Sequence, residues 1–218
     1  MEVIDSCYNL YVLFLFSSSL TLYQHSNRRG QRLVLTDDDS SLTNNGFWND
    51  QTSSLRVTGP CQWILFLHGN FAGSSSVVGP GTRDYEFGYG SNGFRLPNDA
   101  ITSVRCLPAV NSENLVLFQN YYYGGRKLVL SSSNPDLRNG GFNEYASSLV
   151  ITGGTWELHS ATNYLGSSVR LGKGLYPTAN SLRPIANDDL SSVRLIGKGI
   201  QQSVHAKVHP KSHWCEKV

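Results

Sequence analysis

Alanine, glutamate, lysine and methionine are scarce in this chain. Together they supply 21 of its 218 residues, against 66 of serine, glycine and asparagine. The scarce types sustain exposed helices and the abundant ones favour turns, so a helical bundle or a doubly wound α/β enzyme is not expected. Charge is sparse as well. With 16% charged residues and a net charge of +2, no strong field gathers nucleic acid or an anionic membrane. Nowhere does the sequence approach the roughly 18 consecutive apolar residues of a membrane-spanning helix. Four cysteines without a C-x-x-C pair are too few for a disulfide-dense scaffold. Apolar mass is not lacking. At 39% hydrophobic and 11% aromatic residues the chain is not wholly disordered, and it has material for one large domain or two small ones.

The two ends carry weak signals. Residues 10–16 are apolar, but the nine residues before them hold Glu2 and Asp5 and no Lys or Arg, the wrong sign for a secretory leader. There is no N-x-S/T sequon, which removes one supporting sign of a secretory route. A cytoplasmic location is therefore expected over a secreted one. Cys215 stands where a prenylation box would place it, but Glu216 and Lys217 occupy positions that should be aliphatic. His205, His209 and His213 have a spacing that could hold a transition metal on a helix face. Their surroundings are polar and include Pro210, so a frayed terminus is expected instead.

Internal repetition dominates the rest. One string recurs four times: Asn49-Asp50-Gln51-Thr52-Ser53-Ser54, Asn98-Asp99-Ala100-Ile101-Thr102-Ser103, Asn143-Glu144-Tyr145-Ala146-Ser147-Ser148 and Asn187-Asp188-Asp189-Leu190-Ser191-Ser192. The final serines are 49, 45 and 44 residues apart, and each string runs into a short apolar-rich strand. Upstream of each lies a ring residue with a glycine seven positions later: Tyr23/Gly30, Phe66/Gly73, Phe118/Gly125 and His159/Gly166. Phe71, Tyr123 and Tyr164 add a second aromatic two residues before the glycine, where the first unit has Arg28. Strand, sharp turn ending on a glycine that supplies positive φ, and second strand describe a folded hairpin.

The units alternate in type. Gly-Gln-Arg-Leu-Val-Leu from Gly30 matches Gly-Arg-Lys-Leu-Val-Leu from Gly125, whereas units two and four share Trp63 and Trp156 and then Gly-Ser-Ser. The order A-B-A-B is that of a duplicated two-unit domain. A first domain is expected over 19–107 (motifs 19–59 and 60–107) and a second over 113–197 (motifs 113–153 and 154–197). Residues 108–112 form the linker, 1–18 an N-terminal extension and 198–218 a tail. A lone four-stranded unit exposes too much apolar face, so A and B are expected to pair as a sandwich. A β-trefoil lectin uses repeats of similar length but needs three.

The hairpin and the N/D-N/D-x-x-S/T-S string together resemble the βγ-crystallin superfamily, over about 180 residues in the expected order. The resemblance implies an all-β chain of two Greek-key β-sandwich domains, each from two motifs that exchange one strand. It also implies calcium binding. Second residues would give side-chain oxygens, third residues backbone carbonyls and fifth residues hydroxyls. These are Asp50, Gln51 and Ser53; Asp99, Ala100 and Thr102; Glu144, Tyr145 and Ser147; Asp188, Asp189 and Ser191. Each domain would carry two Ca²⁺ sites shared by its two loops. The sixth residues, Ser54, Ser103, Ser148 and Ser192, would bond to the hairpins and leave the metal alone. Such oxygen sets suit Ca²⁺ chemically, although Asn, Asp and Ser are also ordinary turn residues.

No nucleophile elbow, P-loop or His-Glu metalloprotease motif occurs, and no enzyme is expected. The leading reading is a calcium-binding protein whose sandwich the ion stabilises, a monomer or weak homodimer. The alternatives are a purely structural, eye-lens-type protein with vestigial metal loops, or a module whose segment 79–93, with Tyr85, Phe87 and Tyr89, binds a partner or glycan. In a Greek key the first and fourth strands lie side by side. Cys61 and Cys106 are therefore expected to meet and to bond in an oxidising compartment, while Cys7 and Cys215 lie in the terminal segments.

Overall fold

The computed structural model describes residues 18–45, 49–80, 85–86 and 96–197. All regular structure there is β-strand and short 3-10 turns, in four antiparallel sheets. The first motif supplies β1 (Ser19–His25), β2 (Arg29–Leu35) and β3 (Ser54–Thr58). The second supplies β4 (Cys61–His68), β5 (Ala72–Val78), β6 (Tyr85–Glu86) and β7 (Ser103–Ala109). The third supplies β8 (Leu115–Phe118), β9 (Lys127–Leu130) and β10 (Ser148–Ile151). The fourth supplies β11 (Thr155–Ala161), β12 (Leu165–Leu171), β13 (Gly174–Tyr176) and β14 (Ser192–Gly197).

Strand order shows how the motifs pair. The sheets run β2-β1-β3-β6, β5-β4-β7, β9-β8-β10-β13 and β12-β11-β14. Thus β6 leaves its own motif to pair with β3, and β13 leaves its own to pair with β10. The exchange is returned: Asp39 bridges Val104 in β7, and Asn134 bridges Val193 in β14, each through two backbone hydrogen bonds of 2.8–2.9 Å. A sheet completed by its partner's strand cannot separate from that partner without losing ladder bonds, so each pair of motifs is one folding unit.

Side-chain alternation places the cores. In the first sandwich Leu20, Leu22, Leu55, Trp63, Leu65 and Val104 are fully enclosed, and in the second Leu115, Leu117, Leu149, Trp156, Leu158 and Val193. Three strands break the alternation. Trp63-Ile64-Leu65-Phe66 in β4, Leu115-Val116-Leu117-Phe118 in β8 and all of β10 are buried at every position, the pattern of strands covered on both faces. Their second faces meet between the sandwiches. Ile64, Phe66 and Leu107 pack on Val116, Phe118, Tyr123 and Val150, forming a third apolar cluster between the sandwiches.

Arg105 of β7 closes this junction. Its side chain is 3% exposed and its guanidinium lies 3.8 Å from the Phe71 ring centroid. It donates to the carbonyls of Tyr123 and Gly125 at 3.0 and 2.9 Å, and to Asp38 at 3.3 Å. Asp38 in turn holds Lys127 of β9 at 2.7 Å. The backbone crosses at 110–114, where the Val110 N–H donates to Pro60 O and the Asn111 N–H to Thr152 O.

Candidate metal centre

Each recurring string ends on a serine that ties the loop to a hairpin. Ser54, Ser103, Ser148 and Ser192 donate to the carbonyls of His25, His68, Asn120 and Ala161 at 2.6–2.7 Å. Their oxygens accept the N–H groups of Arg28, Phe71, Tyr123 and Tyr164 at 3.0–3.1 Å. Those four acceptors' partners have positive φ, as do Gly30, Gly73, Gly125 and Gly166 two residues on. A non-glycine residue in the left-handed region is strained, and a buried serine bonded on both sides of the turn helps hold it there. Phe66/Phe71, Phe118/Tyr123 and His159/Tyr164 stack edge-to-face over the bends, with ring centroids 5.6–5.9 Å apart.

With the sixth residue anchored, the second residue of every string is also left-handed: Asp50 and Asp99 at φ 52°, Glu144 at 60° and Asp188 at 56°. Aspartate tolerates this region better than most side chains. In three strings the preceding asparagine steadies the carboxylate: Asn49, Asn98 and Asn187 each donate from Nδ2 to the next residue's Oδ2, at 2.8, 2.6 and 2.6 Å. The other carboxylate oxygen faces the partner loop. Ser53 Oγ donates to Asp99 Oδ1 at 3.1 Å and Ser147 Oγ to Asp188 Oδ1 at 2.9 Å, while Thr102 Oγ1 lies 3.3 Å from Asp50 Oδ1 and 2.8 Å from Leu67 O, between which its single proton is shared.

The loops are therefore crossed. A hydroxyl from one motif sits beside a carboxylate from its partner, twice in the first domain and once in the second. The fourth combination differs. Glu144 is exposed, Ser191 is 3% exposed, and no side-chain hydrogen bond joins them. Glu144 keeps the backbone part of the arrangement, its N–H donating to Leu190 O at 2.9 Å as Asp99 N–H donates to Thr52 O at 3.2 Å. The third residues divide by environment: Gln51, Ala100 and Asp189 are half-buried and Tyr145 is exposed.

Three further oxygens belong to the same loops. Asn49 Oδ1, Thr52 Oγ1 and Asn143 Oδ1 are buried without a hydrogen-bond partner, which is costly for a polar atom. An oxygen-seeking cation is one partner that suits them. Among the described residues no three His, Cys, Asp or Glu side chains converge. The donors of each crossed pair are instead one carboxylate and one hydroxyl. That set fits a hard cation with oxygen ligands rather than a thiolate- or imidazole-bound metal.

The Beta/Gamma crystallin family model matches residues 19–107 and 114–196. The chain belongs to the βγ-crystallin family. The β/γ-crystallin of Ciona intestinalis is 40% identical over 81 residues, covering 37% of this chain and 94% of that protein. β-Crystallin A3-2 of Aquarana catesbeiana is 28% identical over 152 residues, covering 67% of this chain and 68% of its own length. Among solved structures, Geodin, a βγ-crystallin from Geodia cydonium, superposes with a TM-score of 0.65 at 25% identity, covering 83% of this chain and 99% of that one. None of these is named for an enzymatic activity.

This βγ-crystallin departs from its own repeat at Arg28, Glu144 and His159. His159 replaces the hairpin aromatic of the fourth motif, and its Nε2 lies 3.2 Å from Glu157 Oε2 while Nδ1 is buried without a partner. Glu157 also accepts from Arg170 Nε at 2.8 Å across β11 and β12. Sequence reading missed the orphaned oxygens of Asn49 and Asn143 as candidate donors. The signal was present in the matching first position of both A-type strings, but their burial was not. Among the described residues no helix is long and apolar enough to cross a membrane. Most of segment 79–93, including Phe87 and Tyr89 and the side chain of Tyr85, lies outside the described residues. So do Cys7, His205, His209, His213 and Cys215.

Proposed function

We propose that this chain is a calcium-binding βγ-crystallin in which Ca²⁺ occupies the crossed loops and stabilises the β-sandwich. The observation that carries this is the repeated placement of one motif's hydroxyl beside its partner's carboxylate, at 2.9–3.3 Å. Asp50 with Thr102 and Asp99 with Ser53 would hold ions in the first domain, and Asp188 with Ser147 one in the second. Carbonyls of Gln51, Ala100, Tyr145 and Asp189 would complete the sets, and Glu144 with Ser191 would be the weakest site. Ca²⁺ supplies charge that draws these neutral and anionic oxygens together, so its role is structural. One carboxylate per site is a low ligand charge and points to Kd values of about 10⁻⁵–10⁻³ M.

Metal that binds only the native form stabilises it by RT ln(1 + [L]/Kd), about 2.7 kcal/mol at a hundredfold excess over Kd. Isothermal titration should show heat with more than one equivalent of calcium. EDTA should lower the unfolding midpoint while far-UV dichroism stays that of a β-protein, because the apolar cores contain no metal ligand. No heat at millimolar calcium, with an unchanged midpoint, would overturn the proposal. It would favour instead the metal-independent structural role, which the complete apolar cores and anchored hairpins also support.

A further inference from the structure

Cys61 and Cys106 play no part in the loops described above. Both are free thiols, half-buried in the first domain. In the β4–β7 ladder Cys106 is opposite Trp63 and Cys61 opposite Ala109, with a register shift between them. Side chains two apart on a strand share a face, so Cys61, Trp63 and Cys106 are on one face and the thiols are diagonal neighbours. The Cys106 Sγ–H donates to Leu107 O at 3.4 Å, and Cys61 is its side-chain neighbour. The backbone around Cys106 is held on both sides: its N–H donates to Asp38 Oδ1 at 2.9 Å, and its carbonyl accepts from Lys127 Nζ at 3.3 Å. Cys61, at the start of its strand and beyond the shift, is tied through its own N–H to Ser18 Oγ at 2.9 Å.

We propose that Cys61 and Cys106 form a reversible redox site, closed to an intramolecular disulfide by a small-molecule disulfide oxidant such as oxidised glutathione. The Cys61 thiolate attacks one sulfur of the oxidant, forming a mixed disulfide and releasing one thiolate. Cys106 then gives its proton to solvent and attacks the Cys61 sulfur, expelling the second thiolate. The two protein thiols are oxidised by two electrons and the oxidant is reduced to two thiols. The order follows from the setting of Cys106. Burial, the neighbouring Cys61 and the Asp38 carboxylate push its thiol up to about 12, against the opposing pull of Lys127. A thiol so rarely ionised is a poor first nucleophile, and ring closure is the slow step. The closed bond would tie the first strand of the second motif to its last and restrict the intervening segment in the unfolded chain.

The test uses the full chain with oxidised glutathione at neutral and mildly alkaline pH, followed by intact mass and peptide mapping. The expected product has lost two hydrogens and maps to Cys61 joined to Cys106. Its melting temperature should rise, and dithiothreitol should reverse both changes. A glutathione adduct on Cys61 should precede it, and closure should accelerate about tenfold per pH unit below the Cys106 pKa. Cys106→Ser should stop at that adduct, while Cys61→Ser should leave Cys106 slow to react. A cross-link of either residue to Cys7 or Cys215, or adducts that never close on the wild-type chain at alkaline pH, would overturn the proposal. Because the wild-type mapping decides the linkage, the result stands even if a serine variant folds poorly.

Discussion

The four second-position residues share a left-handed backbone but not a side chain, and that difference separates the sites. Asp50, Asp99 and Asp188 are short enough for one carboxylate oxygen to take the preceding asparagine and the other to meet a hydroxyl across the loop. Glu144 is one methylene longer, and its carboxylate is bonded to neither Asn143 nor Ser191. Asp99→Ala should therefore remove one calcium equivalent in titration, and Glu144→Ala should lower the stoichiometry less. Equal losses would mean that the two loops are equivalent to the ion. Ser103 tests the metal-independent half of the loop. It is fully buried, donating to His68 O and accepting from Phe71 N–H, so Ser103→Ala leaves both backbone groups unpaired. A loss of about 1–3 kcal/mol is expected in urea unfolding, of similar size with calcium or with EDTA.

At the scale of the strand pair, β11 and β12 carry a cross-strand ion pair in an otherwise apolar and hydroxyl-rich ladder. Glu157 stands directly opposite Arg170 in the ladder and beside His159 on its own strand. Its hydrogen bond to Arg170 holds the carboxyl below the usual range against partial desolvation, with a smaller contribution from His159. The folded-state value is thus lower than the unfolded one. Its stabilisation is present above the unfolded pKa and is lost as pH falls through the folded one. Arg170 is largely exposed, so solvent screening keeps the effect small. Glu157→Gln should flatten the acid limb of stability against pH and lower the neutral-to-alkaline plateau slightly without changing its slope. An acid limb identical to wild type would show that the pair contributes nothing.

In the whole molecule, the junction between sandwiches combines an apolar cluster with one buried guanidinium. Burial pulls Arg105 down from its ordinary pKa, and Asp38 acts in the opposite direction by charge and hydrogen bond. Its donors meet two carbonyls of the second domain, and its plane covers Phe71. Arg105→Met keeps the packing and removes those bonds, leaving the two carbonyls unpaired. Asp38 keeps Lys127 at 2.7 Å, so the cost expected is that of the unpaired buried carbonyls, about 1–3 kcal/mol each. Calorimetry should show the two sandwiches melting further apart than in wild type. A single unshifted transition would mean that the apolar cluster alone couples them.

Much of this was legible in the residues. Four strings and four ring-glycine hairpins specify all-β motifs in an A-B-A-B order, because turn chemistry is local and reads out at fixed spacing. The anchoring role of the sixth-position serines came from the family resemblance that string and hairpin together carry. Other features depend on which motif faces which, and no repeat encodes that. The crossing of carboxylate to the partner's hydroxyl arises only when two loops meet after strand exchange. The second buried face of β4 and β8 shows as a continuous apolar run, but what covers it is decided by the docking of the second sandwich. Arg105 looks like an ordinary strand cation in Val-Arg-Cys, and only that docking surrounds it with Phe71, Asp38 and the carbonyls of Tyr123 and Gly125. The residues determined the local turns and strands through short-range sterics and hydrogen bonding. The tertiary structure decided the shared sites and the junction, because both are made from groups far apart in the chain that become neighbours only on packing.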